Sequence, residues 1–331
     1  MRHDMRGWWW TALCLLLGAA APAVGQDAKS GAADYPGRPV RWVVPFPPGA
    51  SNDIIGRLVG GKLTEAWGQQ FVIDNRPGAG GLIGGETVAR AQPDGYTLLL
   101  ANPAPIVNSP LLAKAPSYRA ADFTSVIYIG YAPLILVTNP GFPPRNPREF
   151  LAYIKTNPSK VSWASSGIGS SLHIALALLR SATGAQVLHV PYKGTAPALT
   201  DIIGGQIHGM YTTTVSADAH IKAGRVKVIG IASAKRSRLL PDVPTLAEGG
   251  IKDAEAVVWF GMSAPAKTPR AIVSRLNREL NRILGLADVK ARLDQLGLEV
   301  EGGTPEAFDA FIRSELAKVT RLIKAGLLKP E

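Results

Sequence analysis

The chain has 331 residues, enough for one large domain or two of ordinary size. Its 46% hydrophobic and 18% charged content is that of a globular protein and excludes an intrinsically disordered chain. The formal net charge is +11, and the single cysteine excludes a disulfide framework and a cysteine-rich zinc site.

The first part of the chain, residues 1–26, predicts a cleaved signal peptide. Arg2 and Arg6 form a positive n-region, and residues 8–21 are an uncharged, mostly apolar run followed by small residues suited to a signal peptidase. A membrane anchor is the alternative, because residues 7–26 carry no charge, but Gly18, Pro22 and Gly25 make that longer run a poor spanning helix. Cleavage predicts export to the periplasm, with residues 27–34 as a polar tether and no cysteine left in the mature chain.

From Tyr35 onward the chain repeats a short β-rich run, a turn of Gly, Ser or Pro, and a helical stripe. Strands are predicted at 40–45, 71–74, 97–100, 161–164, 186–190, 208–212 and 227–232. Helices are predicted from about 51 to before Gly68, after the turn at 76–81, from the cap Asn146, and at 172–181, 268–296 and 304–325. This alternation predicts an α/β protein with mostly parallel sheets, and the length predicts two lobes.

Signatures of common enzyme and cofactor sites do not occur in the sequence. There is no G-x-S-x-G motif and no Walker A motif, and residues 78–84 read G-x-G-x-x-x-G, one residue longer than the dinucleotide fingerprint. The histidines at 173, 189, 208 and 220 lack the H-E-x-x-H spacing, so no metal site is predicted. No basic run is interleaved with aromatic residues, so a nucleic acid is not a predicted partner. No cofactor is predicted either, because the cofactor motifs are missing.

Two turns that precede predicted helices are suited to binding an anion. Residues 49–52 and 165–171 each leave backbone N–H groups free at a helix N-terminus, and the second turn adds four hydroxyls. Each terminus contributes about 0.3–1 kcal/mol to a nearby charge. Three or four hydrogen bonds to a carboxylate then suffice for micromolar affinity, about −8 kcal/mol, without any arginine. The alternative is that both turns are ordinary strand-to-helix connections.

Several ordered segments together resemble one protein family. These segments are PFPPGASND at 45–53, DNRPGAGG at 74–81, PDGYTL at 93–98, SSGIG at 165–169, VPYKG at 190–194, LPDVPT at 240–245 and WFG at 259–261. With them, residues 35–331 resemble the extracytoplasmic solute receptors of tripartite tricarboxylate transporters, also called the Bug family.

The resemblance implies a type II periplasmic-binding-protein fold, in which two α/β lobes close on a ligand cleft. The chain is expected to cross between lobes near 131–136 and near 257–260. One lobe is then 35–132 plus 257–331, and the other is 133–256. The implied function is that of a monomeric periplasmic receptor without enzymatic activity, which delivers a small organic carboxylate to integral-membrane permease subunits.

The resemblance also implies which residues bind the ligand. In the first lobe the implied donors are Gly49, Ala50, Ser51 and Asn52, with Asp53 capping or orienting the turn. In the second lobe they are Ser165, Ser166, Gly167 and Ser170. Further candidates are the apolar walls Phe46 and Tyr192, for which ordinary lobe packing is the alternative, and the polar Asn102.

Two departures from the family pattern bear on specificity. The first turn usually reads Gly-Gly, so Ala50 costs about 1 kcal/mol if its φ is positive. Many relatives carry Asp-Asn where Thr212 and Thr213 stand. An aspartate suits an amine, whereas threonine hydroxyls donate to a carboxylate. We therefore expect a dicarboxylate, aliphatic or aromatic, unless the two threonines merely suit a strand end.

Two other functions are compatible with these residues. One is an exported serine hydrolase that uses a serine of the turn at 165–171, although the sequence has no visible triad. The other is a ligand-loaded sensor partner instead of a transport receptor. Ester turnover distinguishes the first from a receptor, and capture of the membrane partner distinguishes the second.

Overall fold

The computed structural model describes residues 34–326, 328 and 329. The signal peptide predicted at 1–26 and the tether before residue 34 lie outside the described residues. Within the described ranges, no helix has the length and apolar character that a membrane crossing requires.

Strands and helices alternate along most of the chain. The strands are β1 (Val40–Val44), β2 (Phe71–Asn75), β3 (Thr97–Ala101), β4 (Phe123–Thr138), β5 (Ser162–Ser165), β6 (Leu188–Pro191), β7 (Gly209–Thr213), β8 (Lys227–Ile231), β9 (Val257–Pro265) and β10 (Glu299–Val300). The helices are α1 (Ser51–Trp67), α2 (Leu82–Ala89), α3 (Ser109–Leu112), α4 (Pro147–Thr156), α5 (Ser171–Thr183), α6 (Thr195–Ile203), α7 (Thr214–Lys222), α8 (Arg270–Leu284), α9 (Ala287–Gln295) and α10 (Pro305–Lys324). Short 3-10 turns lie at Ala79–Gly81 and Ala120–Asp122, and a π-helical turn lies at Ala104–Asn108.

The local signals of helix start and stop act as the sequence predicts. The Asn146 side chain accepts the N–H of Glu149 at 3.0 Å, with Pro147 as the first residue of α4. Gly68 ends α1 with a φ of +66°, and its N–H donates to the Thr64 carbonyl. Such caps satisfy backbone groups that a helix end leaves unpaired.

The sheet has two parts that share β4. In the first part the order is β2–β1–β3–β9–β4, and β10 also pairs with β4. In the second part the order is β4–β7–β5–β6, and β8 also pairs with β4. We call these parts, with their helices, the first and second lobes. Trp42 in β1 and Trp163 in β5 are fully buried, one in each lobe.

The prediction of mostly parallel sheets is only partly right. The pairs β1/β2, β1/β3, β5/β6 and β5/β7 are parallel. Every described pair that contains β4 or β9 is antiparallel. We call β4 and β9 the linking strands, because the chain passes from the first lobe to the second along β4 and returns to the first at β9.

The two linking strands contain the predicted crossings. β4 pairs with β9 over Phe123–Pro133 and with β7 over Leu134–Thr138. The predicted crossing at 131–136 therefore lies within β4, and that at 257–260 lies within β9. The lobe boundaries after residues 132 and 256 stay predictions.

The single helix predicted at 268–296 is wrong, because the structure has two helices there. α8 ends at Leu284 and α9 begins at Ala287. Gly285 caps α8, and Leu286 has an extended conformation with a ψ of 134°. Two further helices, α6 and α7, were not predicted, because Pro197 in the first and a polar, weakly patterned sequence in the second obscure the helical period.

Candidate functional site

A cleft between the lobes lies where four strands end and four helices begin. β1, β5 and β6 lead through short turns into α1, α5 and α6, and β7 leads directly into α7. The lobes leave a cavity of only about 30 Å³ between the lining atoms, smaller than a typical small-ligand site. The lining residues are Phe46, Ala50, Ser51, Asn52, Asn102, Ser166, Ser171, Leu172, Thr195, Thr212, Thr213, Ser216 and Val258.

Each of the four helices presents its N-terminus to this cleft. Ser51, Ser171 and Thr195 are the first residues of α1, α5 and α6, and Thr213 is the N-cap of α7. A helix N-terminus carries about half a positive elementary charge. None of the lining residues has an ionisable side chain. The positive potential of the cleft therefore comes from backbone dipoles, which favour an anion.

The four N-termini differ in how they are capped. Ser170 and Thr213 cap α5 and α7, accepting the N–H groups of His173 and Ser216. Ala50 and Gly194 precede α1 and α6 without any side-chain cap. Apart from the Ser51 N–H, which donates to Oγ of Ser216, the first turns of α1 and α6 therefore keep backbone donors that no side chain caps, within a buried region of the protein.

The first-lobe turn owes its shape to Gly49, not to the residue after it. Gly49 has a φ of +81°, which favours glycine. Ala50 has a φ of −74° and a ψ of 160°, an ordinary extended conformation. The conditional penalty for alanine at position 50 therefore does not apply, and Ala50 fits the turn without strain.

Asp53 orients this turn from behind and does not line the cleft. Its Oδ2 accepts the N–H of Gly49 at 3.0 Å and the Nε of Arg57 at 3.1 Å, and its Oδ1 accepts Nδ2 of Asn75 at 3.1 Å. Burial alone would raise the pKa of the Asp53 carboxyl, but the bonds from Arg57, Gly49 and Asn75 outweigh burial and lower the pKa below its usual value.

The substitution Asp53→Asn tests this assignment through its pH dependence. Folding lowers the pKa of the Asp53 carboxyl, so its carboxylate stabilises the fold fully above the unfolded-state pKa of about 3.9. This stabilisation is lost as the pH falls through the folded-state pKa. We expect the variant to lose about 1–2 kcal/mol of unfolding free energy at pH 7. In urea titrations the difference from the parent chain should stay constant down to about pH 5 and shrink below pH 4. A difference that does not vary with pH would contradict a role for the charge.

Asn52 and Asn102 form a buried pair at the first-lobe side of the cleft. Nδ2 of Asn102 donates to Oδ1 of Asn52 at 3.0 Å, and Oδ1 of Asn102 accepts the N–H of Ala104 at 3.0 Å. Both the amino group and the oxygen of the Asn102 amide are therefore hydrogen-bonded within the protein. The Nδ2 group of Asn52 keeps its donors for other partners, and Asn52 is the member of the pair that can donate to a ligand.

The serine turn of the second lobe is held by a histidine pair. Oγ of Ser165 lies 2.7 Å from Nε2 of His189 and accepts the N–H of Gly167 at 3.2 Å. The His189 ring stacks on His173 at 4.4 Å. Burial, followed by the proximity of His173 and Arg180, lowers the pKa of His189 to about 4, so this imidazole is neutral at pH 7. Ser165 is fully buried and shapes the turn from within.

The structure brings part of the predicted site together in the cleft. The predicted residues that line it are Phe46, Ala50, Ser51, Asn52, Asn102, Ser166, Thr212 and Thr213. The predicted residues that do not line it are Gly49, Asp53, Ser165, Gly167, Ser170 and Tyr192. Gly167 and Tyr192 line a neighbouring pocket that also contains Phe46 and Ser166, and the Tyr192 hydroxyl donates to Asp201 at 2.6 Å.

Sequence reasoning missed five residues of the lining: Ser171, Leu172, Thr195, Ser216 and Val258. Ser171 is the last residue of the predicted turn at 165–171 but was not among the implied donors, and Leu172 directly follows it. Thr195, Ser216 and Val258 lie on α6, α7 and β9, and predicting them would have required knowing that these three elements lie beside the cleft.

Thr212 has an unused polar group in this cleft. Its side chain is only 1% exposed, and its Oγ1 is buried without a hydrogen-bond partner among the described residues. A buried hydroxyl without a partner costs about 1–3 kcal/mol, so a ligand atom that accepts from Oγ1 recovers this energy.

The lobes touch across the cleft. The N–H of Ser51 donates to Oγ of Ser216 at 2.9 Å, which joins α1 to α7. Gly80 of the first lobe approaches the second lobe so closely that a Cβ there would lie 1.9 Å from the Ile168 carbonyl oxygen. A Cβ on Gly194 would lie 2.6 Å from Cγ of Pro47. The structure is therefore a closed arrangement of the lobes.

The chain is similar to proteins of one family throughout its described length. A family model described as the tripartite tricarboxylate transporter family receptor matches residues 55–328. Protein BugT of Bordetella pertussis is 34% identical over 316 residues, which cover 95% of this chain and 97% of BugT.

Two solved structures resemble the chain in fold as well as in sequence. An R. palustris structure with adipate has a TM-score of 0.87 and 33% identity, covering 90% of this chain and 100% of the other. MatC from Rhodopseudomonas palustris with bound malate has a TM-score of 0.82 and 32% identity, covering 86% of this chain and 98% of the other. The expected type II periplasmic-binding-protein fold is confirmed.

Proposed function

Because the chain belongs to the tripartite tricarboxylate transporter receptor family, we propose that it captures a small dicarboxylate between its lobes and delivers it to the membrane subunits of such a transporter. Binding proceeds by closure of the two lobes around the ligand, a hinge motion without chemistry.

The observation that supports this proposal is the convergence of four helix N-termini on a cleft lined without any ionisable side chain. Each terminus favours a partly buried anion by up to about 2 kcal/mol. The hydroxyls of the lining add hydrogen bonds of about 1.5–3 kcal/mol each to a charged acceptor. After the loss of ligand freedom, this arrangement supports micromolar affinity for a carboxylate.

The side chains that line the cleft support a second carboxylate on the ligand. An amine on the ligand needs an acidic acceptor, and no aspartate or glutamate lines the cleft. Thr212 and Thr213 offer hydroxyl donors instead, and Oγ1 of Thr212 has no partner among the described residues. The structures with adipate and with malate belong to proteins 33% and 32% identical to this chain, and they support the same ligand class here.

A receptor role requires no catalytic residues, and we propose that the chain has no enzymatic activity. The hydrolase alternative needs an accessible serine beside a base. Ser165 does lie 2.7 Å from His189, but it is fully buried and its Oγ already accepts the N–H of Gly167. Absence of turnover on a panel of carboxylate esters supports the receptor, and turnover that disappears in Ser165→Ala supports the hydrolase.

We further propose that the protein acts as a monomer in the periplasm, with permease subunits of a tripartite transporter as its partners. Family membership and the predicted signal peptide support this placement. A sensor partner would use the same cleft, so recovery of permease subunits after cross-linking in cells distinguishes transport from sensing.

A thermal-shift screen of mono-, di- and tricarboxylates tests the ligand class. A ligand at 100 times its dissociation constant stabilises the folded protein by about 2.7 kcal/mol. We expect one or more dicarboxylates to raise the midpoint by several degrees and their monocarboxylate counterparts to raise it less. If only amino acids shift the midpoint, the proposed ligand class is wrong.

A further inference from the structure

A second cavity lies behind the linking strands, where α10 covers β4 and β9. We call it the hinge pocket, and its lining is Tyr128, Tyr131, Val257, Glu301, Gly302, Ala307, Phe308, Phe311 and Glu315. Val258 lines the interlobe cleft and its neighbour Val257 lines the hinge pocket. Since successive residues of a strand point to opposite faces, the two cavities lie on opposite sides of β9.

The hinge pocket is concave and large enough for a small ligand. Its cavity volume is about 370 Å³, within the range of small-ligand sites. Four of its lining residues are aromatic, and the ring of Tyr128 lies 4.9 Å from that of Phe311 and 5.7 Å from that of Phe308. Aromatic faces carry a negative quadrupole and attract organic cations placed within about 6 Å.

Carboxylates at the same pocket add full negative charge. Glu301 is exposed and forms no ion pair among the described residues. Glu315 lies 3.5 Å from Nζ of Lys318. Burial, followed by the proximity of Glu301, Tyr131 and Glu315, raises the pKa of Tyr128. Burial, together with Glu299 and Glu301, raises the pKa of Tyr131.

The pocket is therefore negative on a chain whose net charge is +11. A neutral apolar ligand would gain from the rings but would make no use of the negative charge of Glu301. A metal ion would gain from a carboxylate, but no group of acidic, histidine or cysteine residues in the described chain is arranged to hold one. A cation of diffuse charge with an apolar surface satisfies both the rings and the carboxylate.

We propose that the hinge pocket binds a small organic cation of the quaternary-ammonium class, at a site separate from the interlobe cleft. The aromatic rings of Tyr128, Phe308 and Phe311 contact the alkyl groups, and Glu301 neutralises the charge. This site does not depend on the identity of the cleft ligand.

Titration of the isotope-labelled protein with choline, followed by the amide resonances of Gly302 and Ala307, tests the proposal. The neutral isostere 3,3-dimethylbutan-1-ol is the matched probe, because it has the same shape without charge. We expect choline to shift these resonances in a saturable manner and the isostere to bind at least about fivefold more weakly.

Two variants test whether the Glu301 carboxylate binds the cation. Glu301→Gln removes the unpaired carboxylate, and we expect it to weaken choline binding about fivefold. Glu306→Gln is the control, because Glu306 is exposed in the first turn of α10, five residues away, and does not line the pocket; we expect little change. Equal binding of choline and its isostere, equal affinity of the two variants, or unmoved Gly302 and Ala307 resonances would overturn the proposal.

Discussion

Gly80→Ala is expected to abolish tight ligand binding while leaving a folded protein. The added Cβ would lie 1.9 Å from the carbonyl oxygen of Ile168, a backbone atom of the opposite lobe. Relief of this clash requires the lobes to separate by more than about 1 Å, which removes ligand contacts that need both lobes. We expect the dissociation constant to rise at least about 100-fold, equivalent to roughly 2.7 kcal/mol.

Gly184→Ala is the matched control for this variant. Gly184 has a φ of +68°, close to the +61° of Gly80, but a Cβ at Gly184 meets no atom within 4 Å. Both variants carry the same left-handed strain of about 1 kcal/mol, so urea unfolding should show similar losses. Calorimetric titration should show lost affinity only for Gly80→Ala. Equal affinities of the two variants would mean that the closed arrangement is not the one that binds ligand.

Thr212→Asp is expected to lower dicarboxylate affinity by a similar factor for a different reason. The new carboxylate stands in a cleft without any basic side chain, so it repels a dianion and remains uncompensated. We expect at least about a 100-fold loss for dicarboxylates and a smaller loss for ligands that carry an amine. Calorimetry with both ligand classes measures this change of preference.

Thr212→Val and Thr138→Val separate the lost hydroxyl from the added charge. Both threonines are buried, and Oγ1 of each has no partner among the described residues, but only Thr212 lines the cleft. Neither substitution should lower the unfolding free energy, because each removes an unsatisfied hydroxyl. Thr212→Val should weaken dicarboxylate binding about tenfold and Thr138→Val should not. If both variants bind like the parent chain, Thr212 is not a ligand donor.

The fold was predictable from the sequence where signals are local. The cap at Asn146, the stop at Gly68 and the turn before α1 each depend on a few adjacent residues, and the structure has them as predicted. The break between α8 and α9 was not predicted, because the apolar pattern continues across Gly285 and only the chain geometry there interrupts it.

The cleft was predictable only in part, because it depends on contacts between distant residues. The turns at 49–52 and 165–171 were recognised from composition, but Ser216 meets Ser51 across 165 positions of the chain. Composition also does not fix the direction of a side chain. Ser165 is one of four serines in its turn, and the structure directs its hydroxyl to His189 and not to the cleft.

Isothermal titration of the purified protein with adipate, hexanoate and 6-aminohexanoate, and in parallel with malate, tests the central claim most directly. The three six-carbon ligands share one carboxylate and differ only at the far end. A cleft of four helix N-termini and neutral hydroxyls predicts micromolar binding of a dicarboxylate, weaker binding of hexanoate, and no detectable binding of the amine. Tight binding of 6-aminohexanoate without binding of either dicarboxylate would contradict it.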